Sequence, residues 1–202
     1  MEQKVRLVEK LFYQLEQESI QFQEVSGMSC VSGCGKCCTY PDIEASPIEF
    51  LPWAFHLFLN GEAEKTLKTL NESQSLTCII FKPSSITNGG RCSDYKYRGL
   101  ICRLFGFAAS TDKYGKLRLA TCKIIKEGQT DKYNSTAEAI TKGLNVPIFT
   151  AYYMQLNQID FRLGNIMLPV NKALKMALEE VLQYYAYRPF PDVEKSDSKT
   201  KP

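Results

Sequence analysis

The chain has 202 residues, of which 44% are hydrophobic, and a formal net charge of +3. That is enough apolar material for the core of one ordinary domain without covalent staples. The weak charge shows no basic stripe of the kind that nucleic-acid binders carry, and no run approaches the roughly 18 apolar residues of a membrane span, so neither nucleic acid nor membrane is expected as a partner.

The N-terminal stretch "MEQKVRLVEKLFYQLEQESIQFQE" predicts an amphipathic helix over 3–24. Val5, Val8, Leu11, Phe12 and Leu15 recur at three- and four-residue steps, and Ser26–Gly27 end the pattern. Charges interrupt it too often for a secretory h-region, which points to a cytoplasmic, reducing setting. "SPIEFLPWAFHLFLNG" predicts a second helix, with Ser46 as N-cap, Pro47 at its first position, Glu49 completing a capping box and Gly61 as the stop. Pro52 leaves its true start open. "EAEKTLKTLNES" reads as a short third helix and "LTCIIF" as a strand, followed by the loop "KPSSITNGG".

In "RCSDYKYRGLICRLFGFAAS" we expect a short strand or turn, one to two helical turns at Leu100–Leu104, and an extended exit. "TDKYGKLRLATCKII" predicts a hairpin turning at "DKYG". Helices are expected over 134–163, interrupted at Pro147, and over 170–187. The fold class is thus α+β, mainly helical, with a small irregular cysteine-rich middle containing a few short strands. We expect a single domain over 1–202, a metal-binding core at 28–124, flanking helices at 1–27 and 134–187, and a solvated, disordered tail at 190–202.

The organising signal is the cysteines. Cys30, Cys34, Cys37, Cys38, Cys78, Cys92, Cys102 and Cys122 all lie between residues 30 and 122, and none follows. In a reducing compartment, clustered thiols more often bind metal than form disulfides. Thiolates are soft ligands suited to zinc or to iron–sulfur clusters. Spacings of two or three residues let Cys30, Cys34 and Cys37 converge from one loop. Adjacent side chains tend to diverge, so one centre would take either Cys37 or Cys38, and the other would serve a second centre or stay spare. Lys36, Arg91, Lys96, Arg98, Arg103 and Lys123 lie close in sequence to thiols and could offset their charge. The plainer alternative, a small buried hydrophobe, stands for Cys78 and Cys122.

Two blocks resemble the YkgJ-type cysteine-cluster family of zinc- or iron-chelating domains. They are the C-x3-C-x2-C-C run from Cys30 to Cys38 and "GGRCSDYKYRGLICRLFGF", in which Tyr97, Arg98, Cys102 and Arg103 match the second block. Gly99 stands where that block's proline is expected, which implies a looser turn with no ligand lost. The resemblance covers roughly 28–124 and leaves the C-terminal helices unexplained. It implies a bacterial protein that binds metal through up to eight cysteines, with no established reaction. Iron–sulfur protein, structural zinc module with a surface for a protein partner, and metal storage or delivery protein all remain open. The C-x3-C-x2-C spacing also occurs in radical-SAM enzymes, but Lys36 replaces their usual aromatic and too little chain follows for their barrel.

Other chemistry is sparse. His56, the only histidine, lies in the apolar run "WAFHLF" and reads as a core residue, with Trp53 as the anchor of that run. Asp42 and Glu44 read as a solvated loop edge. Tyr95, Tyr97, Phe105 and Phe107 read as shielding around the thiols. No phosphate loop, dinucleotide fingerprint or serine elbow is present.

Overall fold

The computed structural model describes residues 1–84 and 89–191. The long amphipathic pattern at the N-terminus forms α1 (Glu2–Ser26), which buries Val5, Val8, Leu11, Phe12, Leu15 and Phe22 along one face. It stops at Gly27, whose φ of 62° lets its N–H return to the Gln23 carbonyl. The second predicted helix is two pieces. A 3-10 turn over Pro47–Phe50 carries the Ser46–Glu49 capping arrangement, and α2 (Leu51–Leu59) follows with Pro52 in its first turn, where a missing N–H costs little. α3 (Ala63–Glu72) comes next.

"LTCIIF" is not a strand. Residues 76–80 run as bends and turns, and only Phe81–Pro83 (β2) pairs, with Gly90–Cys92 (β3). The turn closed by Phe81 N–H on the Cys78 carbonyl is incompatible with a continuous ladder. α4 (Leu100–Leu104) lies where expected, and the predicted hairpin is β4 (Ala108–Thr111) against β5 (Leu117–Ala120). Its turn is built on Asp112, whose Oδ1 accepts from the N–H groups of Tyr114 and Lys116.

The expected 134–163 helix begins earlier and is more divided: α5 (Lys123–Gly128), α6 (Thr130–Thr141), α7 (Phe149–Ile159) and α8 (Phe161–Gly164). The break between α6 and α7 spans Lys142–Ile148 and includes Gly143 at φ 100° as well as Pro147. α9 (Val170–Tyr185) closes the fold. A two-residue antiparallel pair that no local pattern announces, β1 (Glu44–Ala45) with β6 (Leu168–Pro169), ties α9's entrance to the segment after the first cysteines. The architecture is α+β and mainly helical.

The main core lies among α1, α2, α7 and α9. Leu15, Leu51, Leu100, Leu156, Leu174 and Leu178 are fully enclosed there. Each such leucine contributes about 1.5–3 kcal/mol by leaving water. A small second core gathers Phe22, Ala109, Ile140 and Val146. Residues 85–88 of the predicted "KPSSITNGG" loop and 192–202 of the predicted tail lie outside the described residues.

Candidate metal centre

The first cysteine loop is a chain of tight turns. The Cys34 N–H reaches the Val31 carbonyl and the Cys38 N–H the Gly35 carbonyl, and a 3-10 turn over Lys36–Thr39 carries both Cys37 and Cys38. Gly35 is required twice over. Its φ is 59°, and a Cβ there would stand 2.6 Å from the Phe81 ring and 2.7 Å from the Gly90 carbonyl oxygen. The loop therefore lies backbone against backbone on β3, joined by the Gly90 N–H to the Gly33 carbonyl at 3.1 Å. That contact brings Cys34 towards the strand that bears Cys92.

All eight cysteines are free thiols, and none is enclosed in the apolar core: Cys30, Cys37 and Cys102 are exposed and the other five half-buried. Cys78 and Cys92 sit at the rim of the main core. Cys122 N-caps α5, its sulfur accepting from the Ile125 N–H at 3.4 Å. Cys102 combines depth with exposure. The residue is accessible to solvent, yet surrounding protein desolvates its thiol.

The electrostatic neighbours of six of the thiols link all eight cysteines into one loose group. Burial raises Cys30, and Cys37, Cys34 and Cys122 add to that rise. Burial, then Cys78, Glu49, Cys37 and Cys92, pushes Cys102 far above the usual thiol range. Cys78, raised mainly by burial to about 11, feels Cys92. Burial also raises Cys92, which feels Asp94, Arg98 and Cys37. Cys34 and Cys122 join this group through Cys30, Cys78 and Cys92 join it through Cys102, and Cys37 is felt by both Cys30 and Cys102.

The adjacent pair departs from the expected divergence. The 3-10 turn carries both side chains, and the two thiols influence each other strongly. Their interaction draws Cys37 below the usual thiol range and drives Cys38 strongly upward, burial, Cys37, Cys102 and Cys78 adding to the second effect.

Polar side chains from outside the first loop grip the backbone beside three thiols. Gln129 donates to the Ser29 carbonyl at 2.6 Å and accepts from the Ser29 N–H at 3.0 Å, next to Cys30. Asn171 of α9 grips Thr77 and Ile79 on either side of Cys78. Glu49, fully buried, accepts from the Ser46 N–H and Oγ through Oε1, and from the Ile101 N–H, beside Cys102, through Oε2 at 3.0 Å. The sequence marks Glu49 only as a local cap. The distant partners of all three residues carry no signal in the chain.

Gly99, at the start of α4, has an ordinary φ of −63°. A Cβ there would stand 2.8 Å from the Phe50 ring and 2.9 Å from Glu49 Oε2, so glycine tightens the packing against Glu49, where a looser turn was expected.

The cationic residues divide. Arg98 lies within electrostatic reach of Cys92 and stacks on Tyr95, 4.0 Å from its ring centre. Arg103 is buried and feels Cys102, but its hydrogen bonds go to Glu16 on α1 and to the Lys96 and Arg98 carbonyls. Lys36, Arg91, Lys96 and Lys123 are exposed, where screening weakens their effect on a charged centre.

His56 is half-buried, stacked on Tyr97 with ring centres 4.6 Å apart and 3.1 Å from Asn60 Nδ2. Trp53 is buried, and its indole N–H holds Asp94 at 2.9 Å, which ties α2 to the turn after Cys92. Asp42 and Glu44 are exposed, as a solvated loop edge would be. Tyr95 and Phe105 are exposed, and Phe107 packs against the small core. At the C-terminal end, Tyr185 and Phe190 both stack on Phe58, while Tyr187 is open to solvent.

Among the described residues, no three His, Cys, Asp or Glu side chains lie close enough together to hold a metal ion. The donor chemistry nevertheless fits a soft ion: eight free sulfurs in one electrostatic group, with the lone histidine engaged by Tyr97 and Asn60. A family model described as "CxxCxxCC: Putative zinc- or iron-chelating domain" matches residues 29–135, a segment that contains every cysteine. No curated protein and no solved structure matches the chain. No helix among the described residues is long and apolar enough to cross a membrane.

Proposed function

The chain belongs to the CxxCxxCC family of zinc- or iron-chelating domains and binds metal through its cysteines; on that premise we propose that it holds an iron–sulfur cluster or another polynuclear thiolate site and works in electron transfer or redox sensing. The observation that carries this reading is the set of eight free thiols, none enclosed in the apolar core, with the adjacent Cys37 and Cys38 carried on one 3-10 turn. A single tetrahedral zinc site takes four ligands and would leave half of these sulfurs without a role. Eight soft donors on one domain would suit a cluster with flanking thiols, or two centres sharing a border, once metal draws them together.

Cys30, Cys34 and Cys122 would serve one centre, Cys78, Cys92 and Cys102 a second or the remainder of a larger one, and Cys37 and Cys38 would divide between them. A bound iron–sulfur centre would supply reversible one-electron chemistry. The protein's own contribution is electrostatic and positional. Arg98 beside Cys92 offsets part of the roughly −2 charge of a four-thiolate centre. Glu49, Gln129 and Asn171 fix the backbone next to Cys102, Cys30 and Cys78.

A structural zinc module is the second reading, and the weakness of the surrounding sheets favours it. β2–β3 and β4–β5 are isolated pairs, too small to stand alone. The test is anaerobic purification followed by elemental analysis and an absorption spectrum. Iron with inorganic sulfide and a broad band near 400 nm is expected. Colourless protein with stoichiometric zinc supports the second reading, and protein with neither metal contradicts both.

A further inference from the structure

Asn171 is the second residue of α9 and lies outside the segment that the family model matches. Its amide makes three hydrogen bonds to one short backbone stretch. Oδ1 accepts from the Ile79 N–H at 2.9 Å, and Nδ2 donates to the Thr77 and Ser75 carbonyls, each at 2.9 Å. Thr77 and Ile79 are the two neighbours of Cys78. The stretch has no helix or strand of its own. Its local order comes from serine turns, with the Ser75 N–H on Ser73 Oγ and the Thr77 N–H on Ser75 Oγ.

We infer that Asn171 is a positioning residue for Cys78, and that α9 thereby belongs to the metal site. The inference rests on the proposed reading of Cys78 as a ligand. A primary amide carries an acceptor and two donor hydrogens on one rigid plane, which is what simultaneous capture of an N–H and neighbouring carbonyls requires. A thiol on an irregular loop must be ordered each time metal binds, and that ordering costs affinity. Bracketing Cys78 from both sides settles the cost when the protein folds. The helix that supplies the bracket is rigid on independent grounds, since Ala173, Leu174, Ala177, Leu178 and Val181 are buried against the main core. Asn171 itself is only half-buried, so its removal leaves α9's packing intact.

The test is a cobalt(II) titration of the metal-free full chain, followed by sulfur-to-cobalt charge transfer in the near ultraviolet, with thermal unfolding of each metal-free variant recorded in parallel. Asn171→Ala is expected to bind about 10- to 100-fold more weakly at its affected site. Its charge-transfer intensity falls towards that of Cys78→Ser, and its metal-free Tm stays at the wild-type value. Asn171→Asp, which keeps the acceptor but places a carboxylate against two carbonyls, is expected not to rescue. Wild-type affinity and spectrum in Asn171→Ala overturn the inference, as does a lowered metal-free Tm with affinity unchanged. A wild-type chain that takes up no cobalt, or Cys78→Ser indistinguishable from wild type, overturns instead the reading of Cys78 as a ligand.

Discussion

The helical frame and the cysteine-rich middle are built on different physics. In the frame, α1, α2, α7 and α9 bury continuous leucine, alanine and aromatic faces, and the core needs nothing besides apolar contact. In the middle, two isolated hairpins, a five-residue helix and a run of turns carry eight thiols, all of them half-buried or exposed. Order there comes from single polar grips and from close backbone contact at Gly35 and Gly90. On the proposed function, the frame holds its shape by apolar packing, whereas the middle would be completed by metal.

The largest effect should come from removing the metal. Chelation or acid treatment is expected to abolish amide-exchange protection across 30–38 and 89–98 while α1 and α9 keep theirs, because binding energy at a thiolate site is folding energy for the segment that carries it. Uniform loss of protection throughout the chain would erase the distinction between the two regions. Next in size is Leu174→Ala. It opens a cavity in the frame and should cost about 2–5 kcal/mol by chemical denaturation, with the metal content of the folded fraction unchanged.

Gly35→Ala attacks the middle. The left-handed φ and the contacts with Phe81 and the Gly90 carbonyl predict strain of about 1–3 kcal/mol. It should appear as reduced metal retention during dialysis, with a nearly wild-type helical circular dichroism signal. Equal loss of helix signal and metal would show that the loop supports the frame.

These expectations separate what the residues announce from what they do not. α1, α4, α9 and the β4–β5 hairpin were legible because periodicity, caps and turn residues are local. The Ser46–Glu49 cap was legible for the same reason, and the match to a chelating-domain family was legible in the cysteine spacing. The β1–β6 pair was not, since two residues at each end carry no pattern. "LTCIIF" has strand composition, but its backbone is claimed by Asn171 and by the turn at Cys78. The second oxygen of Glu49 reaches Ile101 across 52 positions, and Gln129 reaches Ser29 across 100. Long-range grips of this kind depend on how frame and middle dock, which no window of sequence contains.

The smallest expected effect is at the joint between the two regions. Burial alone would raise the Glu16 carboxyl, but Arg98 and Arg103 outweigh it and hold the group below the ordinary carboxylate range. A depressed folded value means stability that is fully present above the unfolded pKa of about 4.3 and is lost as pH falls through the folded one. Glu16→Gln should therefore cost less than about 1 kcal/mol at pH 7 and reduce the loss of stability below pH 4.3. An unchanged acid limb in denaturant titrations would remove Glu16 from the account of the joint.

The most direct test of a thiolate-held metal is X-ray absorption at the metal edge of the anaerobically purified protein. The expected result is a first shell of sulfur alone, at about 2.3 Å, losing intensity in Cys34→Ser and in Cys102→Ser. A first shell dominated by nitrogen or oxygen, or one unaltered by both substitutions, would contradict the claim that these cysteines hold the ion.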